Sequence, residues 1–203
     1  LFRSHVLVAG DVWDQETPSE ATLRQPLDLM ARAGDLVWWL LPGNHDPARA
    51  DGLWQRLARL GPPANVRLCV EPAPVALTED VWLLPAPLTA KHEEGDPTAA
   101  WDGLATPAGA LRIGLAHGAV ADFADAGEAG AATAPDRATR AGLAYLALGD
   151  WHGTLPLNAR AWYSGTPEPT RFKEQNPGNV LVVDLPEPGA EPVVETVPVA
   201  RTR

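Results

Sequence analysis

The sequence is poor in cysteine and in basic residues, and it has no long apolar run. Its single cysteine, Cys69, cannot form an internal disulfide, and its apolar neighbours favour a small core residue over a nucleophile. Sixteen Lys and Arg against 26 Asp and Glu give a net charge of −10, which opposes non-specific attraction to a nucleic acid backbone. No stretch reaches the roughly 18 apolar residues of a membrane-spanning helix, and the N-terminus lacks the pattern of a secretory signal. We therefore expect a reducing, cytoplasmic location.

The length of 203 residues, 45% of them hydrophobic, predicts a single domain over residues 1–203. Residues 186–203 contain several prolines and predict an edge strand followed by a tail. The first residue is Leu1, and a core-like apolar run begins within a few positions. We therefore expect the natural protein to begin upstream of this sequence.

The spacing of apolar residues predicts an α/β fold. A helix is expected between Thr17 and Gly34, with Thr17 as N-cap, Pro18 at the first helical position and a kink at Pro26. A second helix is expected over residues 51–60, and residues 122–139 read as a surface loop or weak helix. Strand, helix and strand in this order predict a parallel pair. The six apolar runs that predict buried strands are 5–9, 36–41, 81–84, 111–116, 145–148 and 179–185.

Four of these predicted strands are followed directly by polar motifs. The motifs are GDVWD at 10–14, PGNHD at 42–46, AHG at 116–118 and GDWHG at 149–153. A single Asp or His at such a place usually caps a turn, but four in order indicate a shared site at strand ends. Carboxylate, amide and imidazole ligands without thiolate suit manganese, iron, zinc or magnesium. The motifs therefore predict metal-assisted hydrolysis, with two cations clamping a phosphate.

The motifs resemble those of the calcineurin-like metallophosphoesterases, whose order is D-x-H, G-D-x-x-D, G-N-H-[DE], a later His and G-H-x-H. The last four blocks match, except that Asp150 stands where the family usually has the first His of G-H-x-H. The resemblance implies an αββα sandwich of two mixed sheets flanked by helices, with its first strand and helix upstream of this sequence. It also implies two divalent metal ions, with manganese the first choice and iron, zinc or magnesium as alternatives.

The resemblance further implies a role for each matching residue. Asp11 would bridge the two metals, Asn44 and His117 would bind the second metal, and His152 would bind the first. Asp150, which departs from the family pattern, could still ligate the second metal through a harder, anionic oxygen. His45 would contact the phosphate and assist the leaving group, with Asp46 as its orienting partner and Asp14 in a supporting position. No D-x-H precedes Asp11 here, so the first metal keeps only Asp11 and His152. We therefore expect this chain to bind one metal weakly and to hydrolyse phosphodiesters very poorly.

Residues 163–168, YSGTPE, resemble the segment that follows the last motif in SbcD-type DNA-repair exonucleases. This resemblance implies DNA ends as substrate, an SbcC-type coiled-coil ATPase as a partner and a homodimer. Two other functions stay open. One is a phosphodiesterase or phosphatase acting on a small molecule, and the other is a non-catalytic domain that binds a metal or a partner.

Several single residues have two interpretations each. Trp13 and Trp151 lie inside the metal motifs and either line a substrate cleft or pack in the core, whereas Trp38, Trp39 and Trp82 are expected in the core. His5 is interpreted as a residue at the edge of the core. Arg171 and Lys173 either meet a phosphate backbone or form a solvated charged turn.

Overall fold

The computed structural model describes residues 4–121, 132–169 and 176–201. In this part of the chain the protein is an α/β fold with one parallel and one mixed sheet. The predicted surface loop over 122–139 falls partly, and Arg171 and Lys173 fall wholly, outside the described residues. The strands are β1 (Ser4–Val8), β2 (Leu36–Leu40), β3 (Val66–Leu68), β4 (Val75–Ala76), β5 (Val81–Ala86), β6 (Leu111–His117), β7 (Ala119–Val120), β8 (Ala132–Thr133), β9 (Tyr145–Gly149), β10 (Leu155–Pro156), β11 (Ala161–Tyr163), β12 (Asn179–Asp184) and β13 (Val193–Pro198).

The first sheet has the order β1-β2-β3, and its strands are parallel throughout the described residues. The expectation that both sheets are mixed is therefore wrong for this one. The second sheet, β10-β11-β9-β6-β5-β4, has four parallel strands and antiparallel strands at both edges. β12 and β13 form an antiparallel hairpin, and β7 pairs with β8. Each of the six predicted strands is found within one or two residues of its predicted bounds. The prediction that all six are buried is wrong for β12, where Val180 and Val182 are exposed because the hairpin leaves one face to solvent.

Helix α1 (Glu20–Arg32) begins two residues later than its sequence predicts. Ser19, not Thr17, is the N-cap, and its Oγ accepts the backbone N–H of Thr22 at 3.1 Å. Pro18 lies before the cap, so the prediction that it occupies the first helical position is wrong. The helix runs through Pro26 without a break.

Helix α2 (Leu53–Leu60) confirms the second predicted helix. It buries Leu53, Trp54 and Leu57 on one face and ends at Gly61, whose φ of 73° is the left-handed conformation that a glycine C-cap adopts without strain. The remaining helical segments are short: a 3-10 helix at Pro97–Gly103 and α3 at Arg137–Arg140. No helix in the described ranges is long and apolar enough to cross a membrane.

Three apolar clusters form the core, and one of them contains residues of both sheets. Side chains alternate along each strand, so Trp39 of β2 meets Leu83 and Leu115 of the second sheet in one cluster. Leu40, which points the other way, joins a second cluster with α1 and α2. Leu84 of β5 packs with Trp101 and Ala138 in a third. This packing brings the carboxyl ends of β1 and β2 beside those of β6 and β9.

Candidate functional site

The predicted convergence of four strand-end side chains is confirmed, and the strands belong to both sheets. Asp11 and Asn44 follow β1 and β2 of the first sheet, whereas His117 ends β6 and Asp150 follows β9 of the second. The Nε2 atom of His117 lies 3.2 Å from Asn44 Oδ1, 3.4 Å from Asp11 Oδ2 and 3.7 Å from Asp150 Oδ1. Three oxygen atoms from three separate segments therefore surround one imidazole nitrogen.

His117 is held in a defined orientation. Its side chain is 2% exposed, and Nδ1 lies 2.7 Å from the backbone carbonyl of Ala9. In the neutral tautomer that donates from Nδ1–H to this carbonyl, Nε2, the nitrogen near the three oxygens, carries no proton and can act as a ligand. A carbonyl that fixes the tautomer in this way is a common partner of a metal-binding histidine.

Glycines allow the segments to approach this closely. A Cβ atom on Gly10 would lie 2.2 Å from His117 Nδ1, and one on Gly149 would lie 1.8 Å from the Ala9 carbonyl oxygen. A Cβ atom on Gly43 would lie 2.1 Å from Asp11 Oδ1. Each distance is far below van der Waals contact, so the site requires glycine at these three positions.

Two of the four residues have unusual backbone conformations. Asp11 has φ 52° and Asp150 has φ 99°, in the range that favours glycine. Such conformations cost roughly 1–3 kcal/mol each and persist only where surrounding contacts impose them. Asp11 is fixed by its Oδ1, which accepts the backbone N–H of His45 at 3.0 Å. The strain is therefore concentrated at the residues that carry the carboxylates.

The electrostatics of the cluster favour a positive charge at its centre. Burial by itself would lower the pKa of His117, but contact with Asp11, the Ala9 carbonyl and Asp150 raises that pKa overall. For Asp11 the directions are reversed: burial by itself would raise its pKa, but its contacts with His117 and His45 lower that pKa overall. The carboxylates thus stabilise a cation where the His117 Nε2 and the oxygen atoms meet.

Asp46 joins the two motif loops of the first sheet. It is fully buried, and its carboxylate accepts the backbone N–H of Gly43 at 2.6 Å and that of Trp13 at 3.1 Å. Burial raises its pKa to about 7, although both N–H groups act in the opposite direction. The resemblance implied that Asp46 orients His45, but both Asp46 oxygens bond backbone groups instead.

The ring of His45 contacts Asp14. His45 Nδ1 lies 3.1 Å from Asp14 Oδ1, and both side chains are accessible to solvent. The two residues that the resemblance assigned to a phosphate contact and a supporting position are therefore neighbours at the mouth of the site. The backbone N–H of His45 also donates to Asp11 Oδ1, so the His45 backbone is tied to the cluster while its ring contacts Asp14.

Trp13 packs in the core and does not line a cleft. It is 4% exposed and meets the Trp54 ring edge to face, with the ring centroids 5.6 Å apart. Its Nε1–H donates to the Thr22 carbonyl at 3.2 Å, and the Nε1–H of Trp54 donates to the Asp46 carbonyl. Trp151, by contrast, is 47% exposed. The two tryptophans therefore differ: Trp13 is a core residue, whereas Trp151 faces solvent beside Asp150.

The segments after β9 and β11 are tied to each other. The backbone carbonyl of His152 accepts both the N–H and the Oγ1–H of Thr166, at 2.9 and 3.2 Å. The Tyr163 hydroxyl donates to the Gly118 carbonyl at 2.8 Å, just after β6. The YSGTPE segment thus supports the loops that carry His117 and His152.

The donor set fits a divalent cation in chemistry and in span. Ligands about 2.1 Å from one small cation lie roughly 3.0–3.4 Å apart, close to the 3.2–3.7 Å that separate His117 Nε2 from the three oxygens. Among the described residues, His, Cys, Asp and Glu side chains by themselves form no group of three or more arranged for a metal ion.

The sequence predicted the four converging residues but not the hydrogen bonds and close contacts that hold them in place. The Asp46 bonds, the Trp13–Thr22 contact and the glycine approaches join residues far apart in the chain. One signal was present: Pro26 has no N–H, so the carbonyl of Thr22 needs another donor. No protein-family model matches the chain, and a search of the curated proteins finds no relative.

Proposed function

We propose that this protein is a metal-dependent phosphodiester hydrolase. The observation that carries the proposal is the convergence of Asp11, Asn44 and Asp150 on Nε2 of His117, from loops of two different sheets. The arrangement is kept despite strained backbone at both aspartates, and it requires glycine at three positions. A purely structural cluster has no evident need for an imidazole oriented by a backbone carbonyl and surrounded by oxygens.

In this proposal Asp11, Asn44, His117 and Asp150 hold one divalent cation, and a second shares Asp11 with His152. Two such cations would neutralise the charge of a phosphate ester and lower the pKa of an attacking water. Manganese is our first choice, because oxygen and imidazole donors without thiolate suit it, as they also suit iron, zinc and magnesium. We assign the fold to the metallophosphatase-type αββα sandwich that the motif resemblance implies, and the apolar cluster shared by the two sheets supports this assignment.

The protein groups around the cations have separate tasks. The Ala9 carbonyl keeps the proton of His117 on Nδ1, so that Nε2 can ligate. His45, accessible at the mouth and in contact with Asp14, donates a proton to the leaving alkoxide. Asp46 holds the backbone of both loops in register but touches no substrate.

DNA ends are the substrate that we propose, because residues 163–168 resemble the SbcD-type segment and support the loops of the site. An SbcC-type ATPase and a second copy of the chain are the partners that this assignment carries with it. The net charge of −10 favours contact with a short stretch of substrate over a broad electrostatic face. A small-molecule phosphodiester is the alternative outcome of the test.

The test is Mn²⁺-dependent hydrolysis of bis(p-nitrophenyl) phosphate, followed by linear DNA. We expect slow turnover above background that needs the cation, is abolished in Asp11→Asn and is unchanged in Asp35→Asn, an exposed control. His45→Ala should lower kcat but leave Mn²⁺ binding intact, because its task is proton donation. Turnover that survives in Asp11→Asn, or that persists in a chelator, would overturn the proposal. Cleavage of the aryl ester or a cyclic nucleotide without cleavage of DNA would favour the small-molecule alternative.

A further inference from the structure

The sequence has eight tryptophans, and Trp151 alone is exposed. It is 47% exposed, whereas Trp13, Trp39, Trp54 and Trp101 are 5% exposed or less. The other three, Trp38, Trp82 and Trp162, are half-buried. A single exposed apolar side chain is ordinary on a protein surface. Trp151 is of interest because it lies next to a residue of the candidate site.

Trp151 directly follows Asp150, whose carboxylate belongs to the cluster around His117. Successive Cα atoms are about 3.8 Å apart, so the backbone of Trp151 lies directly beside the residue that supplies the Asp150 carboxylate to the proposed reaction centre. The backbone on both sides is fixed: the Gly149 carbonyl accepts the N–H of Gly118, and the His152 carbonyl accepts from Thr166. Trp151 therefore stands on a rigid support beside the site, and a bound group meets it at little cost in ordering.

Among the described residues, Arg49 and Arg24 have acidic partners. Arg49 contacts Glu16 at 2.6 Å, and Arg24 contacts Glu20 at 2.8 Å. With a net charge of −10 as well, the protein gains little from attraction to phosphates beyond the scissile one. Recognition of the organic part of an ester then depends on apolar contact, and a solvent-facing indole supplies a large flat surface for it.

We propose that Trp151 stacks on an aromatic group attached to the bound phosphate, a nucleobase or a simple aryl ring. This inference rests on the proposed function, since it places a phosphate at the cluster of Asp11, Asn44, His117 and Asp150. It makes Trp151 a specificity-determining residue: the cluster binds the phosphate, and the indole selects esters that carry a ring. Stacking is tolerant of ring identity, because every nucleobase presents a flat π-face.

Titration calorimetry in the presence of Mn²⁺ tests the stacking on Trp151, because it measures ligand binding and does not require hydrolysis. The ligands are thymidine 5′-monophosphate, p-nitrophenyl phosphate and methyl phosphate, which share the phosphate and differ in the attached group. We expect Trp151→Ala to weaken binding of the thymidine nucleotide about 5- to 150-fold, the value of one stacked base, and to leave methyl phosphate within twofold. Trp151→Phe should retain most of the affinity, and Leu29→Ala, an exposed apolar control on α1, should retain all of it.

Three outcomes would overturn the inference: no measurable binding of the nucleotide, equal affinity for nucleotide and methyl phosphate, or an equal effect of Trp151→Ala on both. A comparable loss for p-nitrophenyl phosphate indicates that any aryl ring suffices, and a loss confined to the nucleotide indicates a nucleobase. Failure of the wild-type chain to hydrolyse any ester, with the binding preference intact, counts against the proposed function alone.

Discussion

The carboxylate of Asp46 accepts the backbone N–H of Trp13, 33 residues earlier in the chain, at 3.1 Å. Its other oxygen accepts the N–H of Gly43 within its own loop at 2.6 Å. One buried side chain thus fixes the distance between the loop that carries Asp11 and the loop that carries Asn44. These two hydrogen bonds explain why the Asp46 carboxylate remains in the core, although burial raises its pKa to about 7.

Replacing Asp46 should therefore destabilise the fold. Asp46→Ala leaves two buried N–H groups without an acceptor, and we expect the free energy of unfolding to fall by about 2–4 kcal/mol. Asp35→Ala, at an exposed turn position, should change it by less than about 0.5 kcal/mol. Urea denaturation followed by circular dichroism measures both. Equal stability of the two variants would show that the Asp46 bonds do not hold the loops.

Gly43 should tolerate no side chain, because its Cβ would lie 2.1 Å from Asp11 Oδ1 and 2.5 Å from the Asp11 backbone nitrogen. We expect Gly43→Ala to lower both thermal stability and the affinity for Mn²⁺, since either Asp11 or its loop must move. Gly34→Ala is the matched control: nothing lies within 4 Å of that Cβ, so it should be neutral or stabilising by up to about 1 kcal/mol. Wild-type Mn²⁺ affinity in Gly43→Ala would contradict the close approach.

Trp13 and Pro26 should be energetically coupled through the carbonyl of Thr22. Pro26 has no N–H to offer this carbonyl four residues back, and the indole of Trp13 donates to it at 3.2 Å instead. Pro26→Ala restores the helical donor, so Trp13→Phe should cost about 0.5–1.5 kcal/mol less in that background than in the wild type. A double-mutant cycle measured by urea denaturation gives this coupling energy. A coupling of zero would show that the indole bond contributes nothing.

Cys69 should be inert in the folded protein and should make stability fall at alkaline pH. Burial raises the pKa of its thiol to about 12, whereas an unfolded thiol titrates near 8.5. Above about pH 8.5 the unfolded state releases a proton that the folded state retains, so stabilisation present below that pH is lost as pH rises towards 12. Between pH 7 and pH 10 the wild type should therefore lose more unfolding free energy than Cys69→Ala. Iodoacetamide should label Cys69 at pH 8 only after denaturation; rapid labelling of the native protein would contradict its burial.

The sequence predicted the parts of the site that depend on local order. Apolar runs ending at polar residues placed Asp11, Asn44, His117 and Asp150 at strand ends, because strands of a parallel sheet present their carboxyl ends together. The predicted start of α1 is wrong. Thr17 and Ser19 are both residue types that cap helices, and the cap is the one whose hydroxyl reaches the N–H of Thr22, which is Ser19.

Contacts between distant segments could not be derived from the sequence. The role of Asp46 follows from the packing of two loops, and that of Trp13 from the position of α1 against β1 and β2. The order strand, helix, strand predicted the parallel pair of β1 and β2, which is confirmed, but apolar periodicity does not encode the further parallel pairing of β3 with β2. The roles of His45 and His152 stay predictions, since they concern a ligand and a reaction.

Binding of Mn²⁺ measured by titration calorimetry tests the central claim, that Asp11, Asn44, His117 and Asp150 form one cation site. The wild-type chain should bind one equivalent measurably, because the second cation of the proposed pair keeps only Asp11 and His152 as ligands in this chain. Asp150→Asn should weaken that binding at least tenfold. Asparagine keeps the shape of the side chain and tolerates the positive φ of this position, so the change removes mainly charge. Asp35→Asn removes an exposed carboxylate elsewhere and should leave the affinity unchanged. Absence of binding to the wild type, or equal affinity in Asp150→Asn, would contradict the account.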